Sequence, residues 1–167
     1  MTAIEHVTTW MKEFVEKEHP VFAGLPACPY ARQARLQGRV RMIHMTSAEP
    51  DSNCWQHIER TDFDKTDALI LILDPRRWTL KYTHDVVDQL NSVFMPRDVV
   101  VLEDHPKQKE EISGVIVNNG RYILLLCQRL STLNRFSEVL KKKGYYDKWS
   151  KKNIADVVTW RLGQRSE

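Results

Sequence analysis

Apolar residues recur along the chain with two different periods, and together they predict a mixture of helices and strands. Near the N-terminus they return every three or four positions over residues 4–15, which is the spacing of one helical face. Thr2 followed by Glu5 matches a capping box, and Pro20 ends the segment because proline cannot donate within a helix. By contrast, Ala68–Leu73 is apolar at every position, as is typical of a strand covered on both faces.

The middle of the chain carries the clearest pattern, which consists of a strand, a helix and a second strand. The first strand is "DALILILD" (67–74), the helical face follows over residues 80–94, and the second strand is "DVVVLED" (98–104). A strand, helix and strand within about 40 residues form a βαβ unit with a right-handed crossover. We therefore expect the two strands to be parallel neighbours in one sheet.

Weaker patterns complete the predicted sheet. Asn119-Gly120 lies between two apolar runs, a strong signal for a two-residue hairpin turn. Residues 39–45 form a candidate strand. Residues 46–67 are polar and turn-rich, and "CWQHIE" (54–59) is the only possible strand within them. The pattern predicts one α+β domain over residues 1–167, in which helices pack on a mixed sheet of four or five strands. A ferredoxin-like sandwich or a variant is the first choice, and a small three-layer α/β fold is the second.

Composition narrows the class of protein. A chain of 167 residues that is 42% hydrophobic and 28% charged, with a net charge of +3, suits an ordinary globular domain. The longest apolar run is far shorter than the roughly 20 residues that cross a bilayer. Glutamates within the first apolar segment argue against a secretory signal, and three cysteines without a CxxC pair argue against a disulfide framework or a zinc knuckle. We expect a cytoplasmic protein that does not associate with membranes.

Cys28 is the first candidate for chemistry. It lies in "GLPACPYARQAR" (24–35), where we expect it to cap a short helix whose first residue is Pro29. The free backbone N–H groups of a helix N-terminus, together with Arg32 and Arg35, would favour a reactive thiolate or hold an anionic ligand. The alternative is a small apolar residue buried in a proline turn, since free cysteine is often buried.

The same stretch resembles the opening of a family of small uncharacterised bacterial proteins. In that family a tryptophan-bearing helix leads into a Gly-Leu-x-x-Cys-Pro-Phe-Ala-like segment, and here Trp10 precedes "GLPACPYA" (24–31). The resemblance covers about the first 35 residues. Tyr30 replaces the usual phenylalanine, and a proline is inserted before the cysteine. The resemblance implies a shared site or a shared structural turn in this segment.

The second candidate site lies at the carboxyl ends of the two central strands, where Asp74 and Asp104-His105 would meet if the strands are neighbours. Ligands of open α/β sheets bind at such ends. Two carboxylates and an imidazole suit acid–base catalysis or a divalent metal, the one cofactor that the sequence suggests, with Asp74, Asp104 and His105 as ligands. Arg76 and Arg77 would bind an anionic group. The alternative is that both segments are solvated turns.

These patterns leave two functional hypotheses. The first is a small cytoplasmic enzyme acting on a small anionic substrate, with Cys28, Asp104 and His105 as catalytic candidates. In that hypothesis Arg32, Arg35, Arg76 and Arg77 hold the substrate. The alternative is a non-catalytic module that binds nucleic acid or another protein through basic patches, chiefly "ARQARLQGRVR" (31–41) and Lys141 to Lys143. Common nucleotide-binding and hydrolase motifs are missing from the sequence.

Overall fold

A computed structural model describes residues 1–163 and shows a mixed four-stranded sheet with helices packed on it. The helices are α1 (Ala3–Trp10), α2 (Ala31–Leu36), α3 (Asn53–Glu59), α4 (Leu80–Phe94), α5 (Leu130–Lys142), α6 (Lys151–Ile154) and α7 (Trp160–Leu162). The strands are β1 (Val40–His44), β2 (Ala68–Leu73), β3 (Val99–Asp104), β4 (Glu111–Ile112), β5 (Val115–Ile116) and β6 (Ile123–Arg129). A π-helical segment, Ala155–Thr159, joins α6 to α7, and we call residues 151–162 the C-terminal helix.

The strand order of the main sheet is β1-β2-β6-β3. β1 and β2 are parallel, whereas β6 is antiparallel to both of its neighbours. β2 and β3 therefore run in the same direction, but the prediction that they are neighbours is wrong because β6 lies between them. Ile123, Leu124 and Leu125 are completely buried, so β6 presents apolar side chains to both faces and suits a central position.

The predicted hairpin at Asn119-Gly120 is also wrong. The hairpin that forms is β4–β5, and its two-residue turn is Ser113-Gly114, both with positive φ. The side-chain oxygen of Asn119 instead accepts hydrogen bonds from the backbone N–H groups of Arg121 and Tyr122. Asn119 thus organises the loop that leads into β6.

Most helices form where the apolar pattern predicts them, with one exception. The capping box of Thr2 and Glu5 is present, and the Thr79 hydroxyl caps α4 by accepting from the backbone N–H of Tyr82. The exception is residues 54–59, for which the predicted strand is wrong because they belong to α3. Cys54 and Ile58 are one helical turn apart, and both are buried.

Helices cover both faces of the main sheet. On one face, α3 and α4 pack over alternate apolar residues of the strands, including Leu71, Val101 and Leu125. On the other face, α1 packs over Ile70, Ile72 and Leu124, and the start of α5 packs beside β3. The α+β class and the mixed sheet with packed helices are confirmed, whereas the ferredoxin-like arrangement is not. No helix within residues 1–163 is both long enough and apolar enough to cross a membrane.

β3 is an edge strand, and the side chain of Asn91 on α4 covers part of its open edge. The amide nitrogen of Asn91 donates to the Val101 carbonyl at 2.9 Å, and its amide oxygen accepts from the Val101 N–H at 2.8 Å. Asn91 is buried. One side chain therefore satisfies both backbone groups of Val101 that would otherwise be open to another strand.

Candidate functional site

Cys28 is half-buried in the loop before α2, and its sulfur lies against the backbone N–H groups of Tyr30 and Ala31. The prediction that Cys28 caps a helix beginning at Pro29 is wrong, because α2 begins at Ala31 and its N-cap is Tyr30. Burial raises the pKa of the thiol, and the charge of Glu16 adds to the increase, so these effects outweigh the two N–H groups. Cys28 is therefore a neutral thiol at pH 7 rather than a thiolate.

The two arginines that follow Cys28 have different environments. Arg35 forms a two-point ion pair with Glu16, with both N–O distances at 2.8 Å. Only 5% of the Glu16 side chain is exposed, so Arg35 is committed to neutralising a buried carboxylate. Arg32 is exposed on α2. Neither guanidinium is therefore placed as a second charged group against the Cys28 sulfur.

Aromatic residues from the α5–α6 connection pack against the cysteine loop. Tyr145 stacks on Phe22 with 5.1 Å between the ring centroids, and its hydroxyl donates to the Ala27 carbonyl. Burial raises the pKa of the phenols of Tyr145 and Tyr146, and the neighbouring Cys28 sulfur adds to both increases. The chain segments around residues 28 and 146 thus meet, although they are far apart in sequence.

Arg161, on the C-terminal helix, is the most unusual charged group that meets this region. Only 3% of the residue is exposed, and burial lowers the pKa of its guanidinium. Its Nη2 atom donates to the Ser137 hydroxyl at 2.7 Å, while Nε is buried without a hydrogen-bond partner. Within residues 1–163 no carboxylate forms an ion pair with it. A buried arginine is normally paired with an anion, because removing an unpaired charge from water costs several kcal/mol.

Two further polar side chains lie near Ser137. The Ser137 hydroxyl also lies close to Tyr146, whose phenol has a pKa raised by burial. Asn134, one helical turn before Ser137 on the buried side of α5, has no exposed surface, and neither its amide oxygen nor its amide nitrogen has a partner. We call Cys28, Asn134, Ser137, Tyr146 and Arg161 the arginine cluster.

The arginine cluster offers a chemically consistent set of groups. A guanidinium, an amide N–H₂ and two hydroxyl groups are all hydrogen-bond donors. Guanidinium binds carboxylate and phosphate oxygens especially well, because its planar N–H groups match their geometry. The neutral thiol of Cys28 lies at the Tyr146 side of this set. The cluster therefore suits an anion rather than a cation.

The strand-end candidates occupy separate environments. Asp74 pairs with Arg76 at 3.0 Å and accepts from the Arg76 backbone N–H, which lowers the pKa of Asp74 to about 2. Arg77 binds Asp51 and two backbone carbonyls of residues 46–49. Arg76 is largely exposed, whereas Arg77 connects the turn after β2 to residues 46–51.

Asp104 and His105 lie on the far side of β6 from Asp74, roughly 10 Å away across two strand spacings. Asp104 accepts two hydrogen bonds from Asn119 through Oδ2, and its Oδ1 is buried without a partner. His105 is buried, and its Nδ1 accepts from the Lys107 N–H. Its Nε2 must therefore donate to the carbonyl of Trp78. Both ring nitrogens are occupied, so neither is free to bind a metal or move a proton.

The structure does not bring the predicted metal ligands together. Among the residues that the structure covers, no three His, Cys, Asp or Glu side chains are grouped so that they could hold a metal ion. Asp74, Asp104 and His105 are thus not a ligand set in this arrangement. The physical reason is the central position of β6, which separates the two carboxyl ends.

No sequence pattern predicted several titratable groups that have shifted pKa values in the structure. The His84 ring contacts the Glu103 carboxylate, whose pKa is raised by burial. Burial also raises the pKa of Glu110 to about 7, and the charges of Asp104, Glu103 and Asp156 add to that increase. These groups come together through α4, β3, the loop after β3 and the C-terminal helix, so no local motif marks them.

The sequence analysis also did not predict Arg161 and Asn134 as site residues. For Asn134, however, the spacing of buried positions along α5 gives a signal. On α5 the buried positions are Leu130, Asn134, Ser137 and Leu140, which recur with helical spacing. Two polar residues within an otherwise apolar stripe indicate a buried polar site. Arg161 left no such signal, because an arginine near the end of a basic chain is usually solvated.

Comparison with known proteins adds no further assignment, since no protein-family model matches the chain and no curated protein or solved structure shows detectable similarity to it.

Proposed function

We propose that this protein is a small enzyme that binds a small anionic molecule, through a phosphate or carboxylate group, at the arginine cluster. The observation that carries the proposal is Arg161, a guanidinium that is only 3% exposed and has no ion-pair partner in the described part of the chain. Leaving such a charge unpaired is costly, so a bound anion would complete the structure. Ser137 and Tyr146 would supply neutral hydrogen bonds to the same ligand.

Cys28 is the group that we propose for the chemical step. Its thiol shares the Tyr145–Tyr146 surface with Arg161, so a ligand held by the guanidinium would lie near the sulfur. Because the thiol is neutral at pH 7, it would have to lose its proton before acting as a nucleophile. Binding and chemistry are thus separable: Arg161 carries the first and Cys28 the second.

The alternative of a module that binds nucleic acid has weaker support. Within the basic run of residues 31–41, Arg35 is neutralised by Glu16 and Arg39 by Asp67. Lys141, Lys142 and Lys143 are exposed at the C-terminal end of α5, where positive charge also stabilises the helix dipole. A solvated helix end accounts for them without a partner.

Calorimetric titration with inorganic phosphate and with acetate tests the proposal. We expect the wild-type protein to bind at least one of them, and Arg161→Met to weaken that binding by about tenfold or more, the effect of losing a charged hydrogen bond. Arg60→Met is the matched control, since Arg60 is exposed at the end of α3. The proposal is overturned if the wild type binds neither anion, or if Arg161→Met binds as the wild type does. Circular dichroism of each variant shows whether it is folded.

A further inference from the structure

Asn134 places a second requirement on the ligand of the arginine cluster. Its side chain carries an acceptor, Oδ1, and a donor, the Nδ2 amide group. The residue is completely buried, and neither atom has a partner. A buried amide without hydrogen bonds loses its hydration and gains nothing in return. The structure thus contains an unmet donor and an unmet acceptor at one position.

The position of Asn134 links it to the proposed anion site. Asn134 and Ser137 are three residues apart on the buried side of α5, so their Cβ atoms are neighbours at about 5–6 Å. Ser137 accepts a hydrogen bond from Arg161. Asn134 therefore lies one helical turn from the serine that Arg161 contacts, on the same side of α5.

From this arrangement, and resting on the proposed anion-binding function, we infer that the ligand of the arginine cluster is an anion that itself carries an O–H or N–H donor. The anionic oxygens accept from Arg161 and from Nδ2 of Asn134. The Oδ1 atom of Asn134 then requires a donor from the ligand, because a bare oxyanion would place lone pairs against lone pairs. Monohydrogen phosphate meets both requirements, and so does a 2-hydroxy carboxylate.

Comparing the affinities for phosphate and sulfate distinguishes this inference from simple attraction of any anion to Arg161. Both are tetrahedral anions of nearly equal size, but only inorganic phosphate keeps an O–H group at neutral pH. A site built to hydrogen-bond a ligand hydroxyl rejects an analogue that lacks it, because the buried protein group is left unpaired. The cluster should thus prefer phosphate to sulfate by about tenfold or more, the equivalent of one buried hydrogen bond.

A phosphate monoester, which loses its O–H group within the accessible pH range, tests whether that group of the ligand is required. Its second ionisation has a pKa of about 6, and above that pH the phosphate group has no O–H left. Methyl phosphate should consequently bind like inorganic phosphate below about pH 6, and like sulfate well above it. Inorganic phosphate keeps its advantage over sulfate across the same range.

The experiment is calorimetric titration of the full chain with phosphate, sulfate and methyl phosphate, on wild type, Asn134→Leu, Asn134→Ser and Arg161→Met. We expect Asn134→Leu to bind phosphate and sulfate with equal affinity, since it removes the discriminating group and leaves Arg161. Asn134→Ser serves if the leucine variant does not fold, and should reduce the preference. Equal wild-type affinities for phosphate and sulfate, or a preference that survives in both Asn134 variants, would overturn the inference and leave the anion site intact. Binding of none of the three anions, or unchanged binding by Arg161→Met, overturns the proposed function as well.

Discussion

The guanidinium of Arg161 donates to the hydroxyl of Ser137 at 2.7 Å, across the contact between the C-terminal helix and α5. This is a bond between a charged donor and a neutral acceptor, so it leaves the charge itself uncompensated. Arg35, a structural arginine, is arranged differently. Two of its N–H groups donate hydrogen bonds to the buried carboxylate of Glu16. This contrast is the basis of our proposal that Arg161 binds an external anion.

Substituting Arg161 is predicted to stabilise the protein in anion-free buffer. Methionine has a similar volume and no charge, and replacing a buried charged group by a well-packed apolar one is often neutral or stabilising by about 1–4 kcal/mol. Urea unfolding of Arg161→Met should therefore give a free energy of unfolding equal to or above that of the wild type. A loss of several kcal/mol would instead show that Arg161 is a structural residue, and Arg60→Met controls for the change in net charge.

Cys28 is predicted to be the first cysteine modified in the folded protein, but to react slowly. Cys54 and Cys127 are sealed in the core, whereas Cys28 is half-buried. Burial raises the pKa of the Cys28 thiol, so its reaction with iodoacetamide should accelerate with pH beyond 9.0, where a free thiol is already half ionised. Intact-protein mass spectrometry over a pH series measures this rate.

Bound phosphate provides the companion measurement on Cys28. If the arginine cluster holds the anion, phosphate should slow alkylation of Cys28 in the wild type and have no effect in Arg161→Met. Fast alkylation of Cys28 at pH 7 would contradict the burial argument, because it requires a stabilised thiolate.

The edge of β3 supplies a prediction about stability that is independent of the site. Asn91→Leu removes both hydrogen bonds to Val101 and leaves its N–H and C=O unpaired, at a cost of about 2–3 kcal/mol. The open edge should also promote self-association, measurable by analytical ultracentrifugation. Ser92→Ala, at an exposed neighbouring position, is the control and should leave both properties unchanged. A monomeric Asn91→Leu variant of wild-type stability would show that the edge is protected by other means.

Glu110 makes the stability of the fold depend on pH. Its pKa rises from 4.5 to about 7 on folding, so the folded state binds the proton more tightly and stability falls as pH rises through that window. Glu110→Gln mimics the protonated form. It should match the wild type below pH 4.5 and be more stable by about 1–2 kcal/mol above pH 7, a figure reduced to allow for partial solvent exposure.

Chemical denaturation at several pH values checks the Glu110 prediction. Glu13→Gln, at an exposed position of the π-helical segment Met11–Val15 that follows α1, serves as the matched substitution. A difference between Glu110→Gln and wild type that does not change with pH would mean that Glu110 ionises normally in the folded protein.

Local patterns were sufficient to predict most helices and the two apolar strands β2 and β3. Their signals lie within a few residues: a capping box at Thr2, helical spacing over residues 80–94 and an unbroken apolar run in β2. Local patterns did not predict the strand order, because the central position of β6 depends on which strands pack beside it. The misplaced hairpin has a similar origin, since Asn119 uses its side chain to bridge the loop and Asp104.

The candidate site was predicted only in part. The loop around Cys28 stood out in the sequence, but Arg35 pairs with Glu16, and the buried charge beside the neighbouring Tyr146 is Arg161, more than 130 positions after Cys28. The spacing of Asn134 with Leu130 and Leu140 indicates a buried position, but only the packing of α5 shows that its amide has no partner. Long-range packing, rather than local chemistry, decides which polar residues are left unpaired.

The most direct test of the central claim is a crystal structure of the protein grown in the presence of phosphate, with a matched structure grown without it. We predict a tetrahedral anion within about 3 Å of the Arg161 guanidinium, with one of its oxygens next to the Asn134 amide. The claim is contradicted if Arg161 is paired with a carboxylate of the protein itself, or is hydrated only by water, in both structures.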